Sequence, residues 1–163
     1  MREILDKANV EPSTFYSHYE TKDQLLIAGP ENLGVTFFEF NSTRKADQNH
    51  EALHFLPLFQ HAAQNFPLAK AMLGRKGGDI LFGHVENHIS KMITEKFKHE
   101  FGKTKQGKIE LQYCSRAAAA AVMGFMVEWL EDDAKMSVEE IARLCSRAVT
   151  GFFKAVTAKR SLG

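Results

Sequence analysis

The chain has 163 residues, 44% of them apolar and 25% charged, and a formal net charge of +1. That length supports one sizeable core with a small appendage, and the composition is that of a globular protein rather than a disordered or fibrous one. The charge excludes an overall basic footprint of the kind that drives nucleic-acid binding. The longest apolar run, Ala117 to Val127, falls short of the roughly 20 residues needed to cross a bilayer.

No β-type alternation of useful length appears, and the apolar spacing predicts an all-α chain. Arg2 to Ala8 reads as a helical segment with Ile4, Leu5 and Ala8 on one face, closed by Asn9, which tolerates left-handed turn geometry. Pro12 suits the first position of a second, short helix, where its missing N–H costs nothing. Thr21 followed by Gln24 makes a capping box, so a further helix is expected to start at Lys22. Gly29 and Pro30 interrupt it, Glu31 to Phe40 resumes it, and Asn41 to His50 is a polar linker.

Beyond the linker, Glu51 to Asn65 is predicted helical with a bend at Pro57. Phe66-Pro67 restarts a short helix to Leu73, and Gly74 to Gly78 closes it with turn residues. Asp79 to Phe101 is a long helix with Leu81, Val85, Ile89 and Met92 along one line. Gly102 to Lys108 is a basic loop, Ile109 to Leu130 a second long helix, and Val138 to Lys159 the last. The final helix is announced by a capping box, Ser137 to Glu140. Two units are expected: residues 1–45 and residues 46–163.

Cys114 and Cys145 make no disulfide framework, which fits a reducing, cytoplasmic setting. His84 and His88 stand one helical turn apart, but the same line continues into Lys91 and Glu95, a solvated flank, and the His-Glu-x-x-His order of zinc hydrolases is absent. No phosphate-cradling glycine loop, nucleophile motif or spaced carboxylate pair appears. The residues therefore imply no enzyme, no catalytic residue, no cofactor and no metal.

Two groups of side chains admit two readings each. Aromatic and sulfur residues gather between positions 37 and 129. Phe55, Phe59, Phe82, Met92, Met123 and Trp129, with His61 and His88 as polar members, either pack as core or line a cavity for a small apolar or aromatic ligand. The small-residue run Ala117 to Ala121, with Gly124, lies beside a helix striped by Ile141, Leu144, Cys145, Ala148, Phe152 and Val156. Those helices either bury one another within one chain or form an isologous homodimer interface through Ala118, Ala121, Phe125, Ile141, Leu144, Ala148 and Phe152.

Arg2 to Val10, followed by Ser13-Thr-Phe-Tyr-Ser-His-Tyr-Glu-Thr-Lys-Asp-Gln-Leu-Leu26, resembles the helix-turn-helix of tetracycline-repressor-like (TetR-family) regulators. Thr14-Phe-Tyr16, Tyr19 and Lys22 are in register. A looser resemblance to the regulatory domains of that family runs through Phe59 to Gly74, Glu128 to Glu131 and Ser137 to Ala142. The resemblance implies that Pro12, Ser13, Thr14 and Ser17 face base edges and that Tyr16, His18 and Lys22 meet phosphates. It also implies a homodimer formed by the last two helices, with a ligand pocket among the preceding ones.

Two departures qualify what is expected. Asn9 stands where the family usually has glycine, and no counterpart of the family's basic first helix precedes Arg2. Within residues 1–30, Arg2, Lys7 and Lys22 are set against Glu3, Asp6, Glu11, Glu20 and Asp23, a net charge of −2. The expected function is a DNA-binding transcriptional regulator, a repressor released from its operator by a small molecule, with no membrane partner. The alternative is a truncated relative that dimerises and binds a ligand or protein without specific DNA contact. Weak or absent operator binding by residues 1–163 is expected from the missing helix and the acidic balance.

Overall fold

The computed structural model describes residues 9, 11–18, 20, 24, 53–74 and 79–158. Among them are helices and no strand: α1 (Pro12–His18), α2 (Leu56–Gln64), α3 (Phe66–Leu73), α4 (Asp79–Phe97), α5 (Lys105–Glu131) and α6 (Val138–Ala158). The all-α reading of the apolar spacing holds. None of these helices is long and apolar enough to cross a membrane. The expected helices at Arg2 to Ala8 and Lys22 to Phe40, Gln24 apart, and the linker after them, lie outside the described residues.

Asn9 adopts φ 51°, the left-handed geometry foreseen for it. Gln24 accepts the Glu20 backbone N–H at 2.5 Å, so its side chain reaches back one residue further than the Thr21 capping box requires.

Pro57 does not bend a longer helix. It occupies the first turn of α2, and the chain ahead of it, Leu53 to Phe55, is extended or irregular. A proline ring tolerates that position and obstructs the turn before it. Asn65 separates α2 from α3, its backbone N–H and side-chain Nδ2 both donating to the His61 carbonyl at 3.2 and 3.0 Å.

The long helix α4 ends at Phe97, four residues before the expected Phe101, as the Glu100 N–H turns back to the Phe97 carbonyl. Gly102 then takes φ 71°, which lets the chain reverse while Phe101 stays buried. Thr104 caps α5 through its side-chain oxygen, which accepts the Gly107 N–H at 3.0 Å, so the helix begins at Lys105 rather than Ile109. The Ser137 box forms as written in the sequence: Glu140 accepts the Ser137 N–H at 2.9 Å, and Ser137 Oγ accepts the Glu140 N–H at 3.2 Å.

The core has α4 lying along α5, α6 packing against both α2 and α5, and α3 crossing the C-terminal part of α5. Near the end of α6, Phe153 stacks flat on Phe97 with centroids 3.9 Å apart and meets Phe101 edge-on at 6.1 Å. At the other end of α5, Trp129 takes Phe59 and Phe66 edge-on at 5.6 and 6.1 Å. The turn between α5 and α6 puts Asp133 and Ala134 at φ 56° and 52°, costly for side-chain-bearing residues. It is held by the Ala134 N–H to the Trp129 carbonyl, by Trp129 Nε1 to the Met136 carbonyl at 2.9 Å, and by Lys70 Nζ on Asp133 at 2.6 Å. The Lys70 ammonium, hydrogen-bonded to the Asp133 carboxylate, holds that carboxyl below its usual range.

Candidate functional site

Helix α1 is short and anchored by one side chain. Phe15 is 6% exposed, whereas Pro12, Ser13, Thr14, Tyr16, Ser17 and His18 are all exposed. A helix advances about 100° per residue, so Ser13 and Ser17 stand opposite Phe15, flanked by Tyr16 and Thr14. The Tyr16 ring leans edge-on against Phe15, with centroids 5.1 Å apart. The Ser17 hydroxyl donates to the Thr14 carbonyl at 2.7 Å, which leaves its lone pairs to accept from a partner. Lys22 lies outside the described residues. This face can present hydroxyls and an aromatic edge to a groove. The acids Glu11 and Glu20 beside it are exposed as well.

The residues named for a ligand cavity fall into three groups. Phe55, Phe59, Met92, Met123 and Trp129 are buried in the core, and Phe59 and Trp129 touch. The indole N–H is committed to the Met136 carbonyl rather than to a ligand. Phe82 and His88 are half-buried on α4, and His61 is exposed on α2. Spacing on separate helices cannot distinguish a packed aromatic from a lining one, because both need the same inward face.

The residues named for a dimer interface also divide. Ala118 and Ile141 point into their own chain, at 3% and 5% exposed. Ala121, Ala148 and Phe152 are exposed, and Phe125 and Leu144 half-buried, on the outer side of α5 and α6. A groove of about 550 Å³ runs there, lined by Ala121, Gly124, Phe125, Ile141 and Leu144 among others.

A second groove, of about 680 Å³, opens on the opposite flank of α6, where the entry of α2 meets it. His54, Phe55 and Leu56 form one wall. Arg143, Arg147, Thr150 and Lys154, at spacing i, i+4, i+7 and i+11, form the other. No sequence motif marks this line. Its signal was the cationic counterpart of the apolar stripe on the same helix, legible as a period but not as a cavity wall until α2 is placed beside it.

The described helices make an all-α protein with one short, exposed N-terminal helix. Residues 50–151 match the family model of a transcriptional regulator C-terminal region, TetR_C_8. The match covers more than half of the chain, so the chain belongs to the TetR family of transcriptional regulators. Comparison with curated proteins and with solved structures returns no match.

Proposed function

We propose that this regulator binds operator DNA through α1 and is released from it when a small apolar or aromatic molecule occupies its helical body. It acts as a homodimer through the outer sides of α5 and α6. The observation that carries the DNA contact is the arrangement of α1, where Phe15 alone is buried and the other described helical side chains are exposed. Ser13, Thr14 and Ser17 are of a length and chemistry suited to base edges. Tyr16, His18 and Lys22 suit the phosphates that position the helix. Two such helices, carried by a two-fold pair of bodies, would address two half-sites. Ligand acts by differential affinity for the dimer arrangements that do and do not fit that spacing.

A second reading, a family member that dimerises and binds a ligand or protein without specific DNA contact, is favoured by the net charge of −2 over residues 1–30. Selection of binding sequences from a random duplex pool by the full chain separates the two. Enrichment of a palindrome supports the regulator reading. Retained dimerisation with no enrichment supports the second. For a binding chain, Lys22→Ala should flatten the salt dependence of affinity by roughly one unit on every sequence, and Thr14→Val should change sequence preference instead.

A further inference from the structure

The outer face of α5 carries one line of exposed residues at spacing i, i+4, i+7 and i+11: Tyr113, Ala117, Ala120 and Gly124. The Tyr113 ring at one end is 76% exposed. Gly124 at the other lines the groove of about 550 Å³ that Phe125 and Leu144 also border. Gly124 does not take positive φ, and a Cβ built on it meets no described atom within 4 Å. Neither the backbone nor packing within the chain calls for glycine there, and glycine costs stability in a helix interior. What remains is the close approach of another molecule.

The charges along α5 are ordered as well. Lys105, Lys108 and Arg116 lie in its first half with Glu110, whereas Glu128 and Glu131 lie in its second, followed by Asp132. The first turn holds no acid and the last turn no base, the reverse of what the helix dipole favours. A helix polarised in this way is complementary to an antiparallel copy of itself.

We propose that two copies of the chain pack α5 against α5 in antiparallel, about a two-fold axis between Ala117 and Ala120. Tyr113 of each copy then enters the groove at the partner's Gly124. In the same register Ala117 faces the partner's Ala120, and Lys105 faces the partner's Asp132. An isologous contact requires this reciprocity, each residue meeting in the partner the one whose copy meets it in return. The proposal rests on the homodimer reading and adds to it the direction of the helices, their register and the side chain that fills the groove.

Sedimentation equilibrium of the full chain tests the occupant. Tyr113→Ala should weaken dimerisation at least about tenfold, the scale of an interface hot spot. Gly124→Leu fills the groove and should give monomer, without lowering the thermal midpoint of the monomer, because its side chain has open space in its own chain. Direction is read by cross-linking in a Cys114→Ser background, which leaves only the enclosed Cys145. Ile109→Cys and Glu128→Cys lie roughly 28 Å apart along the helix and face each other across the proposed axis. An equal mixture of the two variants should cross-link with a short bis-maleimide, and neither variant alone should.

Cross-links within each variant alone would mean parallel helices. A dimer that cross-links in no combination would place the interface elsewhere. Either result overturns the proposal and leaves the homodimer reading standing, as would unchanged dimerisation in both Tyr113→Ala and Gly124→Leu. An unsubstituted chain that stays monomeric at every concentration would overturn the homodimer reading along with it.

Discussion

The two flanks of α6 are built from one helix and differ in almost every physical respect. On one side Leu144, Ala148 and Phe152 continue the small and apolar outer surface of α5 at Ala121, Gly124 and Phe125. On the other, Arg143, Arg147 and Lys154 flank a buried hydroxyl. Between them Ala142, Cys145, Val149 and Phe153 are buried at 3% exposure or less and hold the helix to the core. The first flank, apolar except where Glu128, Asp132 and Lys135 line the groove, gains most from a second protein surface, where burial is worth about 25 cal/mol per Å². The other flank carries exposed cations above a threonine hydroxyl that is closed over.

The harshest way to break this contrast is to remove the residue that holds both flanks in place. Phe153→Ala deletes a ring stacked on Phe97 and edge-on to Phe101, and should destabilise the chain by about 3–5 kcal/mol in chemical denaturation. A loss under 1 kcal/mol would mean that α6 is held elsewhere. The contrast itself is sharpened by two neighbouring positions. Ala148→Arg places an unpaired charge on the apolar flank and should shift light scattering from dimer to monomer. Arg147→Gln, one residue away, should leave the mass unchanged. A dimer surviving Ala148→Arg would remove the apolar flank from the interface.

Thr150→Val sharpens the other side. Removing its enclosed hydroxyl should stabilise the protein by about 1 kcal/mol, since an unmatched buried donor is relieved. A destabilised variant would show that the hydroxyl already has a partner in solution. At the start of the helix, Ser137→Ala should cost about 1 kcal/mol without touching either flank. The Ser137 hydrogen bonds hold the Glu140 carboxyl below its usual range. The stabilisation from that group is present above the unfolded carboxylate pKa of 4.5 and should fade as pH falls below it.

The smallest effect concerns Cys145, buried beneath both flanks. Burial pushes its thiol from 9.0 up to about 12. A raised folded value means that stability is full below the unfolded pKa and declines as pH rises above about 9 toward 12. At neutral pH the thiol is protonated and enclosed, so a thiol reagent should modify half-buried Cys114 well before it. Faster modification of Cys145 would mean that α6 lifts from the core.

Where the sequence was legible, a local hydrogen bond or a single-residue conformational preference was responsible. Asn9 turns left-handed, Pro12 opens α1, and Ser137 with Glu140 starts α6, each set by atoms within a few residues. Pro57 was misread as a bend because a proline's effect depends on whether the chain before it is already helical, and Leu53 to Phe55 is not. Thr104 was passed over because Gly107 at its third position is not a capping-box residue, although the backbone N–H alone completes the cap.

The sequence by itself determined the helical class, the family and the local caps and turns. Each of those follows from periodicity or from a short motif, and neither requires distant neighbours. Tertiary structure alone decided that Ala118 and Ile141 face inward while Ala121 and Ala148 face outward, and that Phe59 and Trp129 pack on each other. It also decided that Thr150 is closed over without a partner. A helical period gives the angle of a side chain about its own axis, but what lies at that angle is set by the packing of the other helices.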